Sequence, residues 1–183
     1  NGYATTGAML VTHRWKVCSP SRGPLAVVLD TDLLAMAPRE LTLAGAGVLS
    51  AVPFSLTDWW LAQQLDDEPV DALAAEIAEN SAEDLPEIAR GVAAGSASAH
   101  ELLAKRLLMN GVAMSLARST APGSGAEHLI AHLWDLRGIA TGQPRGRHGA
   151  CVAVASCITA ALYRYVMACE SPSFRPPPDW DTT

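Results

Sequence analysis

Residues 124–132 read SGAEHLIAH and residues 148–149 read HG, and the rest of the chain is organised around these two stretches. In a helix, positions i and i+4 lie one turn apart on one face, so His128 and His132 are expected to point into the same space. His148 opens a second apolar run and can supply a third imidazole. The Ser-Gly pair predicts a helix start, whose positive end would lie near an anionic group of a substrate. The pattern is compatible with a metal site or an acid/base site, and also with His132 as a buried structural histidine.

The composition predicts a folded chain that acts on a small molecule. Of 183 residues, 49% are hydrophobic and 17% are charged, which is enough to bury a substantial core. The net charge of −6 argues against nucleic acid or an anionic membrane as the main partner. Gly, Pro or charged residues interrupt the apolar runs before the ~20 residues that a membrane helix needs, so no membrane partner is expected.

The cysteines and the N-terminal residues predict a cytoplasmic protein. The four cysteines (Cys18, Cys151, Cys157, Cys169) form no CxxC pair and are too sparse for a disulfide scaffold. Three of them lie on one late helical segment, where buried free thiols are expected, as in a reducing compartment. The sequence shows no basic-then-apolar leader.

The first 30 residues predict a small amount of β structure. Residues 8–18 are rich in strand formers and predict a hairpin that turns at 13–14. Residues 25–29 form a short apolar run that suits a buried strand. Because so few strands cannot make a sheet alone, we interpret residues 1–30 as the remnant of a larger sheet upstream.

The pattern changes to helical spacing after residue 30. Asp30 can cap a first helix, and Pro38 opens a second one. About seven helices are expected within residues 31–169, and residues 170–183 are expected to form an extended tail. The sequence therefore predicts a mainly α fold, a helical bundle joined to a short β remnant.

Six motifs in order resemble the C-terminal part of the glycerol-1-phosphate dehydrogenases, a family whose superfamily also holds glycerol dehydrogenase, iron-containing alcohol dehydrogenases and dehydroquinate synthase. They cover roughly residues 1–168 and comprise NGYAT (1–5), VVLDTDLL with APR (27–39), AGAG (44–47), TDW (57–59), SGAEHLIAH (124–132) and HG (148–149). Each motif alone is weak, but their order and spacing together are specific. The resemblance implies the helical domain of a dehydroquinate synthase-like or glycerol dehydrogenase-like fold.

The resemblance also implies a two-domain enzyme, with a nucleotide-binding half for NAD(P) and a helical half that holds a divalent metal. Residues 1–30 would be the remnant of the nucleotide-binding half. Two of the family's metal ligands fall on His128 and His148. The third, an aspartate that follows a Gly-x-Gly, falls on Val48.

The same resemblance implies four substrate contacts, which are Asn1, Thr5, Ser124 and Glu127.

Val48 is the main departure from the family, because a valine has no lone pair to offer to a metal. Val52 and Pro53 stand where the family commonly has Lys and Tyr, and Ala150-Cys151 replaces its usual Glu-Gln. Two imidazoles alone predict at most a weak, labile zinc site, since catalytic zinc keeps three protein ligands. NAD(P) would bind only through an N-terminal half, because no Gly-rich strand-turn-helix unit occurs in this sequence.

Three hypotheses remain open. The leading one is a diverged, truncated homologue that lacks NAD-dependent redox activity and uses His128, His132 and His148 for elimination, isomerisation or cyclisation of a small metabolite, in specialised metabolism. The second is the metal-binding half of an NAD(P)-dependent glycerol-1-phosphate dehydrogenase. The third is a non-catalytic scaffold subunit. In each case, a second copy or a partner subunit is expected to cover the β remnant.

Overall fold

Eight α-helices and one β-hairpin make up the part of the chain described by the computed structural model, which is residues 7–12, 15–20, 23–144 and 146–170. In chain order the elements are β1 (Gly7–Thr12), β2 (Trp15–Pro20), α1 (Thr31–Met36), α2 (Arg39–Leu49), α3 (Val52–Asp66), α4 (Ala72–Ser81), α5 (Leu85–Ala93), α6 (Ala97–Ala117), a 3₁₀ turn (Ala121–Gly123), α7 (Ala126–Thr141) and α8 (His148–Met167). The mainly α fold with a short β element is therefore confirmed.

The hairpin forms where the sequence predicted it, but the next strand does not. β1 and β2 pair antiparallel, with Gly7 opposite Pro20 and Thr12 opposite Trp15; the expected turn at 13–14 lies outside the described residues. The strand predicted over residues 25–29 is wrong, because residues 23–30 are coil and Leu25 and Val28 are almost fully exposed. A strand needs a neighbour, and the sheet within the described ranges has two strands only.

Acidic or hydroxyl side chains cap three of the eight described helices. Asp30 caps α1, accepting hydrogen bonds from the backbone N–H groups of Asp32 and Leu33 at 3.0 Å each. Asp71 caps α4 and Ser96 caps α6 in the same way. Each such bond satisfies a backbone donor that has no partner within the helix.

The main core lies between α2, α3, α4, α5 and α6. Its largest fully buried side chains include Leu49, Val52, Val92 and Leu103. On α6, Leu103 and Leu107 are buried, whereas Leu102 and Val112 are each 38% exposed, so only one face of this helix is covered.

A close crossing of α2 and α8 fixes the start of α8. A methyl group added at Gly149 would overlap the backbone carbonyl of Ala44, and one added at Gly47 would overlap the carbonyl of Gly149. Only glycine allows two helix backbones to approach so closely at this point. The crossing holds His148, the first residue of α8, at a defined position.

Helix α8 packs on α2 and α7 but leaves its other side exposed. Cys157 and Cys169 are free and exposed, so the prediction of buried thiols is wrong for these two. By length and composition, two segments could cross a membrane: Arg39–Asp66, which spans α2 and α3, and His148–Met167. Gly149 and Arg164 interrupt the apolar run of α8.

Candidate active site

Three imidazole rings meet where α7 packs on the start of α8. His128 and His132 lie one turn apart on α7, and their ring centroids are 6.0 Å apart. The ring of His148 lies 5.3 Å from that of His128 and 5.6 Å from that of His132. His128 is buried, whereas His132 and His148 are half-buried. The expected convergence of the three rings is seen, and their catalytic role stays a prediction.

A buried carboxylate orients His128. Glu127 is fully buried, and its Oε1 accepts hydrogen bonds from the backbone N–H of Gly125 at 2.7 Å and from Nδ1 of His128 at 2.8 Å. Burial acts to raise the pKa of Glu127, but the hydrogen bonds from His128 and Gly125 outweigh it, so the net pKa lies below its ordinary value. With Glu127 ionised, Nδ1 of His128 carries the hydrogen and Nε2 keeps its lone pair.

The expected contact of Glu127 with substrate stays a prediction. Its side chain bends back to the backbone N–H of Gly125 at the start of its own helix. Its second oxygen, Oε2, is also buried and has no hydrogen-bond partner within the described residues. The side-chain partner of Glu127 in this arrangement is Nδ1 of His128.

The start of α7 is occupied by another carboxylate, which the sequence analysis did not anticipate. Oδ2 of Asp58 on α3 accepts a hydrogen bond from the backbone N–H of Ala126 at 2.6 Å. Asp58 thus compensates this positive helix end, and the expected approach of an anionic substrate group stays a prediction. A methyl group on Gly125 would overlap this carboxylate, so the close approach requires glycine.

The same carboxylate also ties α8 to the site. The hydroxyl of Tyr163 donates a hydrogen bond to Oδ1 of Asp58. Burial, this hydrogen bond and the charges of Asp58 and Glu127 raise the pKa of Tyr163 far above its ordinary value. Asp58 thus links α3, α7 and α8. The only signal in the sequence was the family motif TDW at 57–59, which contains Asp58.

The donor set does not match the metal centre that the resemblance implies. Val48, at the position of the family's aspartate, is buried in the main core cluster and offers no donor atom. Among the described residues, no group of three His, Cys, Asp or Glu side chains is arranged to hold a metal ion. The residues present therefore do not fit an Asp-His-His centre.

Of the remaining predicted substrate residues, only Ser124 lies in the described part of the chain. Asn1 and Thr5 lie outside the described residues. Ser124 is half-buried and extended, and it precedes Gly125 at the start of α7. Its contact with substrate stays a prediction.

Val52 and Pro53, which stand where the family commonly has Lys and Tyr, lie in a different place from the histidine cluster. Both residues line a cavity of about 440 Å³ between α3 and α4, together with Trp60 and Glu76. The three histidines do not line this cavity. The histidine cluster at the α7–α8 junction is therefore separate from this cavity.

The chain is similar in sequence to curated glycerol-1-phosphate dehydrogenases that use NAD(P)+. It is 31% identical to the enzyme of Halalkalibacterium halodurans over 164 residues, which is 90% of this chain and 41% of that protein. For the Haloquadratum walsbyi enzyme the identity is 41% over 140 residues, or 76% of this chain and 39% of that protein. For the Aeropyrum pernix enzyme it is 35% over 147 residues, or 80% and 41%.

These matches cover only part of the relatives. The chain spans about two-fifths of the length of the curated proteins it matches. No family model matches the chain.

Proposed function

We infer, from the premise that this chain is related to the C-terminal helical domain of the glycerol-1-phosphate dehydrogenases, that its histidine cluster catalyses proton transfer without hydride transfer. The observation that carries the proposal is the pairing of buried Glu127 with His128 beside two further imidazoles. The reaction class is isomerisation, elimination or cyclisation of a small metabolite. The loss of the metal centre, marked by Val48, is part of the same proposal.

His128 is the proposed general base. The ionised carboxylate of Glu127 holds the Nδ1–H tautomer, so the Nε2 lone pair is available to a substrate proton. The imidazolium that forms when Nε2 takes that proton is stabilised by the adjacent carboxylate. A positioned base of this kind contributes about 10²–10⁴-fold to rate.

His132 and His148 are the proposed partners for the second proton. Their ring centroids lie 6.0 Å and 5.3 Å from that of His128, so a small substrate can contact His128 and one of them together. When His128 removes a proton from a carbon next to a carbonyl group, the carbonyl oxygen gains negative charge. One of these imidazolium groups can donate a proton to that oxygen, giving a neutral enediol.

The exchange of carbon-bound protons tests this proposal directly. Dihydroxyacetone phosphate, the ketone that corresponds to glycerol 1-phosphate, is incubated in D2O without nicotinamide, and proton NMR follows the loss of its C–H signals. We expect exchange at least about a hundredfold faster than in buffer, in line with general base catalysis. His128→Ala should abolish the enhancement, and a chelator should leave it unchanged.

His100→Gln is the matched control, because His100 is a buried histidine on α6 outside the cluster. The variant should exchange like the wild type. Exchange at the buffer rate with the wild-type protein, or an unchanged rate in His128→Ala, contradicts the proposal for this probe. Exchange that is lost with chelator and restored by zinc contradicts the metal-free mechanism.

A second candidate is the metal and substrate half of an NAD(P)-dependent dehydrogenase. The similarity to enzymes named for NAD(P)+, over about two-fifths of their length, favours it. Val48 counts against it, because supplying a nucleotide-binding half would not restore the third metal ligand. This candidate predicts one tightly bound zinc per chain, whereas a non-catalytic scaffold predicts neither zinc nor proton exchange.

We also propose a cytoplasmic location. Cys151, Cys157 and Cys169 are all free thiols, and two of them are exposed. Exposed free thiols persist in a reducing compartment.

A further inference from the structure

Two buried oxygens on α7 and α8 have no hydrogen-bond partner. Among the described residues, four buried side-chain nitrogen or oxygen atoms lack one, and two of the four are Oε2 of Glu127 and Oγ1 of Thr159. Glu127 is 0% exposed and Thr159 is 2% exposed, so bulk water does not reach either side chain. Folded proteins nearly always satisfy such atoms with a protein group or an ordered water, because a buried polar atom without a partner is costly.

The helices α7 and α8 run in opposite directions along each other. At the start of α8, the ring of His148 lies 5.6 Å from that of His132, in the middle of α7. Near the other end of α8, Tyr163 donates to Asp58, which also accepts from the backbone N–H of Ala126 at the start of α7. Later turns of α8 therefore lie beside the first turn of α7.

This packing brings Thr159 and Glu127 to the same level. Thr159 lies one turn before Tyr163 on the same face of α8, and Glu127 lies in the first turn of α7. The Glu127 carboxylate bends back toward the backbone N–H of Gly125, which moves its oxygens further toward the level of Thr159. Besides burial and the contact with Asp58, the charge of Glu127 also raises the pKa of Tyr163, as expected of side chains that lie close together.

The hydroxyl of Thr159 is not used within its own helix. Serine and threonine hydroxyls in helices often donate to the carbonyl three or four residues earlier. Ser156, on the same helix, does so, and its Oγ donates to the carbonyl of Val152 at 2.9 Å. Thr159 makes no such bond to a described residue, so its hydroxyl hydrogen is available to a group outside α8.

We propose that one buried water bridges Oε2 of Glu127 and Oγ1 of Thr159, and that Thr159 is thereby a positioning residue for the pair of Glu127 and His128. A carboxylate oxygen accepts only, whereas a hydroxyl also donates, so a water can donate to Oε2 and accept from Oγ1. The inference goes beyond the proposed function and does not depend on it, because it concerns how the pair is held and not which reaction it catalyses.

The surroundings suit a water better than a metal ion. A buried water makes about three hydrogen bonds, and the hydroxyl oxygen of Tyr163 can accept the third. The residues that flank the two oxygens along their helices are small, namely Gly125, Ala126 and Ala155, and leave room for a water. A metal ion needs more charged ligands, and no three His, Cys, Asp or Glu side chains of the described residues are arranged to hold one.

The bridge fixes the plane of the Glu127 carboxylate. With Oε2 held by the water, Oε1 stays directed at Nδ1 of His128, 2.8 Å away. Without the bridge, the carboxylate turns about its last side-chain bond toward another donor, and the hydrogen bond to His128 weakens. Thr159 therefore acts on His128 without touching it.

A crystal structure of residues 1–183, at a resolution that shows ordered waters, tests the bridge directly. We expect a water at about 2.5–3.0 Å from both Oε2 and Oγ1. Thr159→Val keeps the shape of the side chain but removes the hydroxyl, so it should lose this water and move the imidazole ¹⁵N signals of His128. It should also lower the midpoint of urea denaturation by about 0.5 M, because Oε2 loses a hydrogen bond. Thr159→Ser should keep the water and the wild-type ¹⁵N signals.

Thr141→Val is the matched control, because the Thr141 hydroxyl donates to a carbonyl of its own helix on the exposed side of α7. It should leave the water and the His128 signals unchanged. A wild-type structure without this water, or with a metal ion in its place, overturns the proposal. So does a Thr159→Val protein with wild-type His128 signals or with a higher urea midpoint, which an unpartnered hydroxyl predicts. If Thr159→Val does not fold, the wild-type and Thr159→Ser structures decide.

Discussion

At the residue scale, the pair of Glu127 and His128 is the buried polar contact of the histidine cluster. A carboxylate that is fully buried and hydrogen-bonded to Nδ1 makes that nitrogen the donor and leaves Nε2 for other partners. The i, i+4 spacing in the sequence predicted that His128 and His132 share a face. The spacing did not predict the hydrogen bond of Glu127 to His128. That contact forms because a side chain in the first turn of a helix can bend back to the free backbone N–H groups there.

We expect Glu127→Gln to let His128 populate both neutral tautomers instead of the Nδ1–H tautomer alone. The amide keeps the shape of the side chain but removes the charge that favours a hydrogen on Nδ1. Long-range ¹⁵N NMR of the imidazoles, assigned with His128→Ala, should show a mixture of tautomers. Any activity of the site should fall about 10–100-fold, as for other partners that orient a functional histidine. Glu101→Gln, on a surface glutamate that pairs with Lys105, is the control; identical ¹⁵N shifts in Glu127→Gln and wild type would contradict the role.

At the element scale, the site depends on how α3, α7 and α8 are held together. Asp58 joins three helices through Ala126 and Tyr163, which lie 68 and 105 residues away in sequence. Neither partner could be identified from sequence, since nothing local relates residues so far apart. The helices themselves were predicted with useful accuracy, because apolar spacing and capping residues act locally.

The glycine crossing of α2 and α8 predicts a large effect for Gly149→Ala. The added methyl would overlap the carbonyl of Ala44, which belongs to the backbone and cannot rotate away. We expect a loss of about 1–3 kcal/mol in the free energy of unfolding, the usual cost of overpacking, measured by urea denaturation. Displaced NMR signals of His148 should accompany it.

Gly45→Ala is the control for this change. Its methyl would meet only the end of the Leu107 side chain at 3.2 Å, which can move. Equal stability of the two variants would show that the close approach of the helices is not required.

The hydrogen bond between Tyr163 and Asp58 predicts a pH-dependent stability. Because the folded-state pKa of Tyr163 lies above its ordinary value of 10.0, the bond contributes stability that is complete below that pH and is lost as the pH rises further. Tyr163→Phe should lower the free energy of unfolding at neutral pH by about 1–3 kcal/mol, since it leaves a carboxylate oxygen without its donor. It should also flatten the decline of stability above about pH 10.

Tyr165→Phe, two residues along the same helix, is the control for alkaline stability. Tyr165 is 77% exposed, so its replacement should leave both the neutral-pH stability and the alkaline decline nearly unchanged. If Tyr163→Phe and the wild type decline in parallel above pH 10, the hydrogen bond is not the source of the effect.

At the scale of the whole molecule, the main question is whether this chain keeps the metal chemistry of the longer dehydrogenases that it resembles. The chain shares 31–41% identity with three of these relatives over about two-fifths of their length. The resemblance assigns a metal-ligand aspartate to the position of Val48, which has no donor atom. A change at one ligand position can alter the chemistry of a site while the fold around it persists.

We expect the purified chain to hold much less than one equivalent of zinc. Two imidazoles without a third protein ligand make a labile site, and no three His, Cys, Asp or Glu side chains of the described residues are arranged to hold a metal, so elemental analysis after mild chelation should find little metal. The melting temperature should not change when a chelator is added, because metal that does not bind the folded state cannot stabilise it. One equivalent of zinc that survives chelation would show that another donor replaces the aspartate.

The sequence by itself determined the helical bundle, the hairpin and the shared face of His128 and His132, because helix periodicity, caps and the i, i+4 rule act over a few residues. Tertiary structure alone decided that His148 joins them, that Asp58 occupies the start of α7, that residues 25–29 lack a strand partner, and that one side of α8 stays exposed among the described residues. Those outcomes depend on which distant elements pack together, and short-range patterns carry no information about such contacts.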